Sequence, residues 1–246
     1  MKILILGHSG SGKTSAACPI KELDIKGLNP KSTFFITTTS RELPYRGGLA
    51  DYKEGTLKEL VDMKNTKKFF NRLITNKPAH IAQALHVLST MSVFKDVVFD
   101  DSNYVMQDYY MANAVAGGFD VFKTIGDGQE RIYRVLQDSF KGPDKNVWVL
   151  AHPEDGIMDG MREKYYVKTA GKMVRQYLTP EGKFDMVLCC HGSWDDMENK
   201  AKKVFITNEH ELISGAKSFP GMLDLEVPND FGFIKDKIKE YYAPQS

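Results

Sequence analysis

The segment Gly7-His8-Ser9-Gly10-Ser11-Gly12-Lys13-Thr14 has the spacing G-x-x-x-x-G-K-[ST], and this is where the chain's residue types point most directly to chemistry. Such a loop turns successive backbone N–H groups inward around a phosphate. It supplies a lysine for the β- and γ-phosphates and a hydroxyl for Mg²⁺. Lys13 fills the first role and Thr14 the second, and Gly7 through Ser15 together form the expected nucleotide-binding surface. The pattern works only between a strand and a helix N-terminus. Ile3-Leu4-Ile5-Leu6 in front reads as a short buried strand, and Ser15-Ala16-Ala17 behind begins a helix whose dipole favours negative charge.

A nucleotide site needs a second half. Asp96-Val97-Val98-Phe99-Asp100-Asp101 is an apolar run ending in carboxylates, and Asp100 is placed to hold Mg²⁺ through water. Asp101 has two readings that stay open: polarising the attacking water, or N-capping the segment that follows. Val147-Trp148-Val149-Leu150-Ala151 reads as another buried strand, ending at His152. That histidine either feels the γ-phosphate or is an ordinary loop residue.

These tips require a scaffold. Thr33 to Thr38 is β-branched and aromatic, a second strand ending in the polar loop 39–48. Residues 55 to 92 read as mostly helical. Within them Lys64, Lys67, Lys68, Arg72 and Lys77 are a solvated helix face or, alternatively, a nucleic-acid contact. Residues 103 to 141 read as a helical insertion broken at Ala116-Gly117-Gly118. Phe184 to Cys190 and Lys203 to Thr207 suggest an antiparallel hairpin at the far edge, and Pro228-Asn229-Asp230 offers an N-cap for a last helix. The sum is an α/β fold: a mainly parallel central sheet, flanking helices and an antiparallel edge hairpin. At 246 residues, with no linker or repeat, the expectation is one domain spanning residues 1–246.

Composition narrows the function classes. The 33 basic and 32 acidic residues nearly cancel, so any attraction for nucleic acid must be local. The locally basic stretch is 154–177, where Arg162, Lys164, Lys168, Lys172 and Arg175 interleave with Tyr165 and Tyr166. Backbone charge plus base stacking suits single-stranded DNA, while an ordinary surface hairpin is the other reading. Three cysteines form no disulfide framework, and Cys189 and Cys190 lie in an apolar run without metal-ligand spacing. Met1 leads straight into the first strand and no apolar stretch approaches membrane-spanning length, so the expected location is the cytoplasm.

The order of motifs resembles the phage-encoded RecA-like P-loop ATPases of the single-strand-annealing, recombination-mediator type. The resemblance rests on the phosphate loop, Leu43-Pro44-Tyr45, Asp100-Asp101, and Val149-Leu150-Ala151-His152. It continues through Thr169-Ala170-Gly171-Lys172, Ala216-Lys217, Gly221-Met222-Leu223 and Val227-Pro228-Asn229-Asp230. It implies an ATPase, using ATP and Mg²⁺, that assembles into rings or filaments with ATP between subunits. It further implies single-stranded DNA bound by the loops after the Asp100 and His152 strands, with a single-strand-binding protein as a further partner and the host cytoplasm as location. His152 then takes a sensor position, and Lys217 reaches the neighbouring subunit's γ-phosphate. Ser218 departs from relatives that carry a second basic residue there. RecA itself places a glutamate near the end of its second core strand, where this chain has Glu42, so Glu42 competes with Asp101 as base.

Two rivals follow from the same residues. A P-loop kinase would transfer the phosphoryl group to a nucleotide or small molecule, although the arginines are scattered rather than gathered into a lid. A non-catalytic module would use ATP only to order a DNA-binding assembly.

Overall fold

The computed structural model describes residues 1–63, 65, 68–113, 119–169, 179–195 and 200–244. Lys64, Lys67, the break at 116–118, and Lys172 and Arg175 lie outside them.

The parallel strands are β1 (Lys2–Leu6), β2 (Thr33–Thr37), β3 (Arg72–Ile74), β4 (Asp96–Asp100), β5 (Asn146–Ala151) and, after a small hairpin of β6 (Met158–Asp159) and β7 (Arg162–Lys164), β8 (Met186–Asp195). β9 (Lys200–Ile206) returns antiparallel to β8, β10 (Ile213–Ser214) joins β7 and β6 in a three-stranded sheet, and β11 (Glu226–Pro228) pairs antiparallel with β9. The main sheet has eight strands in the order β11-β9-β8-β1-β5-β4-β2-β3. The mainly parallel sheet and its antiparallel edge are as the sequence predicts.

Both faces of the sheet are covered, which is why the interiors of its central strands are continuous apolar runs. Leu4, Leu6, Phe34, Val97, Phe99 and Val149 face one layer. That layer contains α3 (Leu57–Asp62), α4 (Pro78–Thr90) and α6 (Phe119–Ser139), with α5 (Tyr104–Asn113) beside α6. Ile3, Ile5, Val98, Trp148 and Leu150 face the other layer, which holds α1 (Lys13–Ala17) and the last helix, α7 (Phe231–Tyr241). The short α2 (Gly48–Asp51) follows the loop after β2. The alternation also separates the adjacent thiols: Cys189 faces the first layer and Cys190 the second, both buried and free. Among the described residues, no helix is long and apolar enough to cross a membrane.

One expectation fails within 55–92, where the helical reading is interrupted by β3 at the sheet edge. Arg72 is therefore a buried strand residue, not part of a solvated helix face. Three residues are too few for a strand period to show against the flanking helical spacing. At the C-terminal end, Asp230 does cap the last helix, accepting from the Gly232 N–H at 2.7 Å. Its carboxylate also accepts from the N–H groups of Lys26 and Gly27, pinning that loop to the cap.

The sheet's foot carries a buried charge. Asp96 is fully buried, accepts from Asn146 Nδ2 and Trp148 Nε1 at 3.2 Å each, and pairs with Lys235 of α7. Asp96→Ala strands that ammonium and leaves two buried donors without their acceptor, at an expected cost of about 3 kcal/mol. In thermal unfolding, that corresponds to a midpoint lowered by roughly 6–12 °C. A shift within a degree or two would show that α7 does not depend on this pair.

Candidate nucleotide site

Register brings the chemistry together. Leu6 pairs with Ala151 on one side and Cys189 on the other, Phe99 pairs with Val149, and Thr37 with Asp100. The residues that follow these strands therefore emerge side by side at the carboxyl edge, where ligands bind in such sheets. Because β5 lies between β1 and β4, His152 sits between the phosphate loop and the Asp100–Asp101 tip.

The loop's glycines are required by geometry at two points. A Cβ on Gly7 would meet Ser11 Oγ at 2.4 Å and Cys190 Cβ at 2.7 Å. Gly12 has φ 95°, a left-handed conformation that side chains resist, and packs against Asn229 and Lys203. The Ser11 N–H closes a turn on the His8 carbonyl at 3.2 Å, and the Ala16 N–H makes the first helical bond to Gly12 at 2.9 Å. The amides of Lys13, Thr14 and Ser15 precede that bond and remain donors for an anion. Since α1 has only five residues, its dipole is small, so side-chain cations must supply most of the attraction.

Lys13 is buried, and its ammonium donates to the carbonyl oxygens of Gly7 at 2.5 Å and His8 at 3.0 Å. Burial pulls its pKa down, with Asp100 and Asp101 opposing that shift. Thr14 Oγ1 donates to the Asp100 carboxylate, 3.0 Å from Oδ2 and 3.2 Å from Oδ1. Burial and the neighbouring Asp101 charge raise the Asp100 pKa. A dehydrated carboxylate beside a hydroxyl is a donor set that fits Mg²⁺, an oxygen-seeking cation that usually keeps several waters.

Asp101 adopts φ 57°, unusual for a residue with a side chain, although aspartate tolerates it better than most. Its carboxylate faces Arg41 and His152. It pairs with the Arg41 guanidinium, and His152 Nε2 lies 3.5 Å from Oδ1. Burial pushes the Asp101 pKa up, but the adjacent His152 ring and the Arg41 charge outweigh it and hold the carboxyl below its usual range. The side chain is therefore paired with Arg41 and His152 and, among the described residues, makes no hydrogen bond to the backbone of α5. Arg72, from the unexpected strand β3, donates to the Arg41 carbonyl oxygen and fixes that loop from below.

Together Ser9, Lys13, Thr14, Arg41, Asp101 and His152 line a cavity of about 320 Å³, with Gly10, Gly12 and Ser15 also on its wall. Glu42 is exposed on the neighbouring loop and does not line it. Lys217 lies elsewhere: its backbone exchanges 2.9 Å hydrogen bonds with Val187, two residues short of the level of Leu6, and its side chain is exposed.

The basic hairpin abuts the site. His8, within the phosphate loop, bonds Glu163 Oε1 through Nε2 at 2.9 Å and packs edge-on against Tyr165. The Lys168 N–H donates to the His152 carbonyl at 2.9 Å. Asn103 clamps the junction, accepting from the His152 N–H at 2.6 Å and donating to the Lys168 carbonyl at 2.5 Å. Arg162 pairs with Glu209 at 2.8 Å, Lys168 with Asp155 at 2.6 Å, and the Lys164 ammonium lies 4.9 Å from the centre of the Tyr166 ring.

The sequence does not single out Arg41, Asn103 or Lys203 as site residues. Each reaches the site across the sheet edge, a long-range placement without local periodicity. The only available signal was their polar character in loops or strands next to strand tips.

No family model matches the chain, and no curated protein matches it. Among solved structures, the chain is similar to a KaiC-like protein from the hyperthermophilic archaeon Pyrococcus horikoshii OT3. The two are 11% identical over 83% of this chain and 76% of that one, with a TM-score of 0.44.

Proposed function

We propose that this chain is a RecA-like ATPase that binds single-stranded DNA and acts in phage DNA recombination or strand annealing. The observation that carries the reading is the convergence of Lys13, Thr14, Asp101 and His152 on one cavity at the sheet's carboxyl edge, with the buried Asp100 hydrogen-bonded to Thr14 behind its wall. Mg²⁺ held by Thr14 and Asp100 would neutralise charge on the β- and γ-phosphates. Lys13 adds a cation to the same phosphates. A water oriented by Asp101 attacks the γ-phosphorus as the bond to the ADP oxygen breaks, and its proton passes to Asp101. Arg41 and His152 hold that carboxylate in place. In this reading the chain is a single domain of the host cytoplasm. It forms rings or filaments in which Lys217 reaches a neighbour's γ-phosphate, and a single-strand-binding protein is a partner.

Support for DNA comes from the hairpin beside the site, where Arg162, Lys164 and Lys168 accompany Tyr166 and the exposed Met161. Single-stranded DNA is expected to stimulate ATP hydrolysis, with the stimulation fading as salt rises. Replacing Arg162, Lys164 and Lys168 together with alanine should reduce the slope of log affinity against log salt by about 2. Turnover indifferent to DNA would reject this reading.

A second reading is favoured by one feature. A cavity of about 530 Å³, lined by Asn103, Met106, Gln107, Tyr110, Phe122 and Lys168, lies beside the His152 tip and could admit a phosphoryl acceptor. Labelled γ-phosphate recovered on a small molecule instead of in water would establish the kinase.

A further inference from the structure

Lys203 has no role in the scheme above, yet it reaches the phosphate loop from the far side. It lies opposite Gly192 in the β8–β9 hairpin. Since Cys189 is level with Leu6, that pair stands three residues beyond the last paired residue of β1, alongside the loop. The Lys203 ammonium donates to the Gly10 carbonyl at 2.9 Å, and its Cδ lies 3.0 Å from where a Cβ on Gly12 would stand.

Lys203 and Gly12 border two cavities. One is the Lys13–Asp101–His152 cavity, and the other, of about 640 Å³, is walled by Ser15, Asp24, Ile25 and Asn229. The site's polarity then orients a nucleotide. The terminal phosphate must face Thr14, Asp100 and Asp101, so the α-phosphate and sugar leave over Gly12 and Ser15, past Lys203.

Resting on the nucleotide reading, we infer that Lys203 is a second phosphate-binding lysine supplied by the same chain. It grips the α–β end of the nucleotide while Lys13 serves the β–γ end. Its ammonium needs only to swing from the Gly10 carbonyl to a phosphate oxygen, a small excursion for a flexible four-carbon stem. With α1 too short to contribute much dipole, this cation supplies attraction that a longer helix would have given.

The test titrates ADP and ATP, with Mg²⁺, into the full chain and into Lys203→Met and Lys203→Arg. Methionine keeps the apolar stem over Gly12 and removes only the charge. The expected result is a roughly tenfold loss of affinity for ADP and ATP alike in Lys203→Met. Lys203→Arg should recover most of it, and the thermal midpoint should be unchanged. Unaltered affinity for both nucleotides overturns the inference, as does a loss confined to ATP, which would place Lys203 at the γ-phosphate. If the unsubstituted chain binds neither nucleotide, the underlying reading fails instead, and the same titration shows it.

Discussion

Lys13→Ala is expected to abolish measurable ATP turnover, with phosphate release reduced at least a hundredfold. The reason lies in what surrounds the ammonium. It is buried and bound to two loop carbonyls, Gly7 and His8, so its charge is poorly screened by water and available to a phosphate. Removing such a preorganised cation from a transition state typically costs about 3 kcal/mol or more. The substitution also deletes a packed stem and leaves two carbonyls without their donor. Lys13→Met, which preserves the stem, separates loss of charge from collapse of the loop. Both variants should be slow, and Lys13→Met should lose less of its thermal midpoint than Lys13→Ala. Turnover unchanged in either would sink the site assignment.

Asp101→Asn is expected to lower kcat by about a hundredfold or more while leaving KM for ATP nearly unchanged. Asparagine has the same shape and tolerates the left-handed backbone at φ 57°, so the strand tip is retained. What it loses is the charge. Held below its usual range by His152 and Arg41, the Asp101 carboxylate is ionised at neutral pH and can accept a proton from water. Asparagine cannot. The companion variant is Glu42→Gln, at the competing position, which should hydrolyse ATP at the original rate because Glu42 does not line the cavity. The reverse pattern, with Glu42→Gln slow and Asp101→Asn normal, would transfer the base to the neighbouring loop.

Parts of this site could be read from sequence because their signals are local. The phosphate loop is a contiguous motif between a strand and a helix. Asp100 and His152 announce themselves as polar residues ending apolar runs, and Asp230 as a cap before a helical period. Other parts depend on which strands become neighbours. Arg41 matters because β2 lies beside β4, and Lys203 because a hairpin extends past the end of β1. Arg72 illustrates the difference most clearly. Within a stretch of helical spacing it resembles a solvated cation, but β3 turns it inward to hold the loop that presents Arg41. Sheet order carries that information, and no window of neighbouring residues contains it.

His8 has a mechanical consequence. Its imidazole belongs to the phosphate loop by backbone and to the basic hairpin by its bond to Glu163 and its packing on Tyr165. The loop and the hairpin therefore share one pin, a half-exposed ring held at its far edge by a 2.9 Å bond. A displacement of either that outruns the ordinary slack of a hydrogen bond pulls on the other or releases the pin.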